Sequence, residues 1–185
     1  MLIPMDPVAA LRVSPITVML GGQEYVLPAR PAADWLETTM QHQGSLMGYL
    51  PGLLTLDDRG RVVKALMAGE IDRFELTEAA WDVLALATGF EWWWVGHRLL
   101  QSVIAGWAEI GGWLMTIGMD PTIRPVGAIL LATLNRVQEN AAQVEKKDRN
   151  NFYSQLCMPP RDHPNYRELL QTVGAVVLSD LAKQK

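Results

Sequence analysis

The chain has 185 residues, 49% hydrophobic and 19% charged, with 16 basic and 20 acidic side chains and a formal net charge of −4. That length suits one domain with a real core, and the composition excludes a disordered or collagen-like chain. The acidic balance argues against duplex nucleic acid, whose phosphates reward a basic excess. The single cysteine, Cys157, excludes an internal disulfide and fits a reducing compartment.

Residues 1–15 carry Pro4, Pro7 and Pro15 and are expected to form an irregular arm. The stretch Met1-Leu2-Ile3-Pro4-Met5-Asp6 lacks the basic and apolar regions of a signal peptide, so secretion is not expected. Ile16-Thr17-Val18-Met19-Leu20 and Gln23-Glu24-Tyr25-Val26-Leu27 alternate around Gly21-Gly22. A two-residue Gly-Gly loop favours a tight hairpin, because glycine reaches positive φ without strain. That pairing sets Val18 opposite Tyr25 and Ile16 opposite Leu27. Ile16, Val18, Leu20, Tyr25 and Leu27 then share one face, which a lone hairpin must bury against helices or a partner.

Everything after Pro28 reads as helix. Pro31 opens a helix to about Gln41, with Trp35, Leu36 and Met40 inward. Gly44, Gly48 and Pro51-Gly52 are expected to break the chain. Asp57 or Asp58 is a cap candidate for a helix to Met67, which Gly69 closes. Thr77 is the cap candidate for a helix over Glu78 to Thr88, with Trp81, Leu84, Ala85 and Thr88 as its stripe. A long helix is expected from Glu91 to Met119, then helices over Arg124 to Gln143, Glu145 to Leu156, and Pro164 to Ala182. Asp120-Pro121 separates the first two of these. Their apolar residues are Val126, Ile129, Leu130, Leu134, Val137 and Ala141, then Phe152, Tyr153 and Leu156. The last stripe is Leu169, Leu170, Val173, Val176, Val177 and Leu181. The expected fold is mainly α: a bundle of about six to seven helices with one N-terminal β-hairpin. Its boundaries are an arm over 1–15, a hairpin over 16–28 and one helical domain over 29–185.

Residues 92–119 are long enough to span a bilayer, but Glu109 would sit near mid-span, where a carboxylate costs about 2.5–3.5 kcal/mol. Trp92, Val95, Leu99, Val103, Trp107, Ile110, Leu114 and Ile117 recur at helical steps, opposite Arg98, Gln101, Ala105, Ala108, Glu109 and Thr116. That is an amphipathic core helix, and no membrane association is expected.

No catalytic constellation stands out. His42, His97 and His163 have no partner at metal-ligand spacing. Gly21-Gly22-Gln23 spells the tripeptide of peptide release factors, yet here it joins two patterned strands and reads as a turn. Cys157 has no helix N-terminus or base beside it and is not expected to be a nucleophile. Asp57, Asp58 and Asp120 read as caps. No enzyme, metal or cofactor is expected. Trp92-Trp93-Trp94 cannot all face one core, since neighbours lie about 100° apart on a helix. Either adjacent elements wrap the run, or one tryptophan offers an apolar docking surface. On the second reading Trp92, Trp93, Trp94, Trp107 and Trp113 are the candidate partner-binding residues.

Several landmarks occur in one order. They are Leu20-Gly21-Gly22-Gln23-Glu24-Tyr25-Val26-Leu27-Pro28, Pro31-Ala32-Ala33-Asp34-Trp35-Leu36, Leu50-Pro51-Gly52-Leu53-Leu54, Trp92-Trp93-Trp94 and Phe152-Tyr153-Ser154-Gln155-Leu156 before Pro159-Pro160. In that order the chain resembles the tail assembly chaperones of long-tailed phages infecting actinobacteria. The resemblance covers residues 16–160; the helix beyond Pro164 lies outside it. It implies an assembly factor in the host cell cytoplasm that binds the tape measure protein, recruits tail tube protein and is absent from the finished virion. Self-association is left open, and no site residues carry over from the family. The alternative is a structural virion protein, a head–tail connector or tail-completion component.

Overall fold

The computed structural model describes residues 5–42, 46–141 and 146–183, with side chains at all of these except 141, 146–150 and 176–183. The fold is mainly α with one hairpin. The elements are α1 (Pro7–Ala10), β1 (Ile16–Leu20), β2 (Gln23–Leu27), α2 (Ala32–Gln41), α3 (Tyr49–Leu53) and α4 (Leu56–Ala68). They continue as α5 (Arg73–Thr88), α6 (Trp93–Ala105), α7 (Trp107–Thr116), α8 (Val126–Ala141), α9 (Lys146–Cys157) and α10 (Tyr166–Lys183).

The hairpin has the expected register, Ile16 opposite Leu27 and Val18 opposite Tyr25. Gly21 and Gly22 lie at φ +55° and +71°, as a tight turn matching strand twist requires. Val18, Leu20, Tyr25 and Leu27 are buried beneath it, and β1 packs on α5. The turn is tied down by the Gly21 N–H, which donates to Glu75 Oε1 at 2.7 Å.

Helices α5, α6 and α8 pack on one another, with α2 laid over α6 and α8. Close approach of α5 and α6 depends on Gly96: a Cβ there would stand 2.6 Å from the Thr88 hydroxyl oxygen. Val83, Leu84, Val95, Leu99, Leu130 and Leu134 fill the space between these helices.

Among the described residues ten helices occur where about six to seven are expected, and three causes account for the difference. First, the arm is not irregular throughout. Asp6 Oδ1 accepts from the N–H groups of Val8 and Ala9, capping the one-turn α1. The Asp6 N–H donates to the Gly89 carbonyl at 2.7 Å, which docks the arm on α5. Second, Gly48 and Pro51-Gly52 do not break the chain but lie in and beside α3. Pro51 falls in its first turn, where a missing N–H costs nothing. Third, the long helix divides at Gly106 into α6 and α7. The break turns the stripe, so Trp107 and Ile117 are exposed rather than buried.

Several local expectations are corrected. Thr55, not Asp57 or Asp58, caps α4, its hydroxyl oxygen accepting from the Asp58 N–H. Helix α5 starts five residues earlier than expected, because Asp72 accepts from the Glu75 N–H at 2.7 Å and caps it. Thr77 sits inside that helix, donating to the Arg73 carbonyl. Met40 and Leu170 are exposed rather than inward. Residues 1–4 of the arm, Gly44 and the inward assignments of Ala141, Val176, Val177 and Leu181 fall outside the described residues.

Among the described residues no helix is long and apolar enough to cross a membrane. Glu109 forms an ion pair with Arg136 at 3.0 Å.

A candidate docking groove and a tryptophan cluster

The tryptophan run is wrapped by its neighbours. Trp92 stands at the N-cap of α6 and is buried, its ring stacked on that of Trp94 at 5.9 Å. Trp94 is also buried, and its indole N–H donates to the Cys157 carbonyl at 3.0 Å, joining α6 to the end of α9. Trp93 is half-buried and lies parallel to Trp81 at 5.3 Å; Trp81 in turn stacks on His163 at 4.6 Å. The result is a three-ring pile that joins α5, α6 and the segment before α10. A cavity of about 440 Å³ adjoins it, lined also by His97 and Arg98. The indole nitrogens of Trp81 and Trp93 and Nε2 of His97 are buried without a hydrogen-bond partner. Each such group costs about 1–3 kcal/mol.

Burial shifts the two histidines and the thiol here towards their neutral forms. Burial, with a smaller contribution from Arg98, holds His97 below the usual histidine range. Burial also lowers His163. Burial pushes the Cys157 thiol up to about 11, so the reactive thiolate is scarce at neutral pH. Among the described residues no group of three His, Cys, Asp or Glu could hold a metal ion.

The other two candidate tryptophans lie on α7. Trp113 is half-buried beneath the guanidinium of Arg136, 4.6 Å from its ring centre. Trp107 is 45% exposed and lines an open groove of about 580 Å³. One wall is α2, with Leu36 and Met40; the other is the α6–α7 bend, with Ile104, Trp107 and Met115. Met40 and Met115 are both 57% exposed. The turn Asp120-Pro121-Thr122 closes one end.

Backbone contacts hold these walls. The N–H groups of Ala32 and Ala33 donate to the carbonyls of Arg124 and Pro121, each at 2.8 Å. These satisfy donors at the start of α2 that have no partner within their own helix. Asp120 accepts from both the N–H and the hydroxyl of Thr122, which keeps its carboxyl below the usual range and fixes the turn. Two methionines and one tryptophan on a fixed frame make an adaptable apolar surface. The groove can take an apolar helix stripe, with Glu37 on its α2 wall and Asp120 in its closing turn as the carboxylates that line it.

The structure thus gathers Trp92, Trp93 and Trp94 into one cluster and leaves Trp107 as the groove tryptophan. Ile104 is a groove residue that sequence reasoning missed, and Met40 and Met115 are the methionines, which sequence alone offers only as a class, that line it. Gly106 was the available signal, since a glycine between two apolar turns can end a helix as well as permit packing. No protein-family model, curated protein or solved structure matches the chain.

Proposed function

We propose that this chain is a non-enzymatic assembly factor, a chaperone that holds the amphipathic helices of a phage tape measure protein during tail assembly. The observation that carries this reading is the groove of Leu36, Met40, Ile104, Trp107 and Met115, open and almost wholly apolar. Helix-in-groove recognition uses such a surface, with anchors on one face of the client helix. The ordered landmarks from Leu20 to Pro160 support the same reading through the resemblance they carry.

The test is co-expression with the tape measure protein encoded in the same genome. The wild-type chain should keep that protein in the soluble fraction. Trp107→Ala and the double change Met40→Ser, Met115→Ser should weaken the rescue by about 1–3 kcal/mol of binding. Their melting temperatures should stay close to wild type, because exposed side chains contribute about 0.5 kcal/mol or less. Trp93→Ala serves as the contrast: it removes a stacked ring and should lower the melting temperature. Mass spectrometry of purified particles gives the second readout. A chaperone is absent from them; stoichiometric presence would replace this reading with that of a virion component.

A further inference from the structure

Helix α4 meets the body along one face. Val62 is buried, and Ala65 and Leu66 pack half-buried against the core. On its opposite face Leu56, Gly60, Val63 and Met67 recur at steps of four, three and four. That spacing is a coiled-coil seam, and it is unpartnered: Leu56 is 80% exposed, Val63 44% and Met67 85%. A Cβ at Gly60 would meet nothing within 4 Å, so the middle of the seam is a notch.

We infer that this seam pairs with the same seam of a second copy of the chain, antiparallel about a two-fold axis near its centre. Antiparallel pairing sets Leu56 against the second copy's Met67, and Gly60 against the second copy's Val63, so the notch receives a branched side chain. The flanking charges agree. Asp57 and Lys64 are exposed and lie one heptad apart on the same side of the seam. An antiparallel pair brings Asp57 of each copy beside Lys64 of the other, giving two ion pairs by symmetry. A parallel pair would instead bring Lys64 towards Arg59, like against like. The remaining charges of α4 are already engaged. Arg61 pairs with Asp58 and lies over the Tyr25 ring, while Arg59 donates to the carbonyls of Pro51 and Gly52. A contact between two helices of this length falls short of the roughly 1,200 Å² typical of stable interfaces. The dimer is therefore weak, formed at about 0.1–1 mM in free solution and favoured where copies are held side by side. This inference does not depend on the tail assembly reading.

Sedimentation equilibrium on the full chain, up to about 1 mM, tests it. Wild type should shift towards dimer as concentration rises. Leu56→Ser with Met67→Ser should weaken the dimer at least about tenfold while leaving the melting temperature unchanged. Asp57→Lys alone and Lys64→Asp alone should each weaken it by about three- to tenfold. A one-to-one mixture of these two single variants should associate more tightly than either alone, because every cross-pair is then attractive. That comparison holds even if Asp57→Lys lowers helix stability by opposing the α4 dipole. A wild-type monomer at the highest concentration would overturn the inference. So would a dimer indifferent to the Leu56 and Met67 changes, or a mixture no tighter than its components.

Discussion

Single glycines decide how close elements come, and two of them predict opposite outcomes for one substitution. Gly127 lies in α8, where a Cβ would stand 2.5 Å from both Cα and the carbonyl oxygen of Ala10. Backbone atoms cannot swing aside, so Gly127→Ala must push α1 off α8. Alanine is worth about 0.5–1 kcal/mol over glycine in a helix interior. The clash should exceed that gain and leave a net loss of about 1–3 kcal/mol. Gly112, in α7, has nothing within 4 Å of its would-be Cβ. Gly112→Ala should therefore raise stability by about 0.5–1 kcal/mol. Denaturant unfolding of the two variants checks both signs. A stabilised Gly127→Ala would mean that α1 does not seat on α8 as described.

Between elements, the contact with the most to lose is the hold of α6 on the end of α9. One terminal nitrogen of Arg98 shares its two N–H groups among the carbonyls of Gln155, at 2.8 Å, Leu156, at 2.9 Å, and Met158. The first two are last-turn carbonyls of α9 without partners in their own helix, Met158 follows the helix end directly, and a cation also suits a helix C-terminus. Arg98→Ala should cost about 1.5–3 kcal/mol, the range for hydrogen bonds to charged groups. Hydrogen exchange should show the loss concentrated at residues 153–158; a uniform change across the chain would sink the assignment. This contact also marks how far the sequence could be read. The hairpin, its register and the α8 stripe were legible because period and turn chemistry are local. Arg98 was seen only as a polar residue on a helix, because its partners lie 57 to 60 residues away. The D-x-x-E start of α5, Asp72 to Glu75, stands in the sequence as a capping pattern, but Thr77, five residues on, is also able to cap and is the one named above. The groove was half legible. Trp107 was named from its type, while Met40 and Met115 depended on where the bend at Gly106 points α7.

At the scale of the whole molecule, two half-buried histidines, His97 on α6 and His163 in the segment before α10, make stability depend on pH. His97 meets the Tyr49 ring edge-on at 6.1 Å, and His163 stacks on Trp81. Both are held below the usual histidine value of 6.5, chiefly by burial. The nearby charges are Arg98 for His97, which lowers it further, and Asp162 and Glu78 for His163, which oppose its shift. A group whose pKa is lower in the folded state binds more protons when unfolded, at pH values near and below its ordinary value. Stability is then fully present above about pH 7 and falls as pH drops through about 6.5 and below. The carboxylates of Asp58 and Asp120, lowered from 3.8, act only in a more acidic window and leave this one clear. Thermal unfolding followed by tryptophan fluorescence should therefore give a lower melting temperature at about pH 5.5 than at about pH 7.5. His97→Gln cannot charge and should flatten most of that slope, with His163→Gln removing a smaller part, since His163 stands nearer solvent. If wild type and both variants follow the same curve, the histidines are not the groups that couple protons to folding. The pile of His163, Trp81 and Trp93 would then hold equally well with His163 charged.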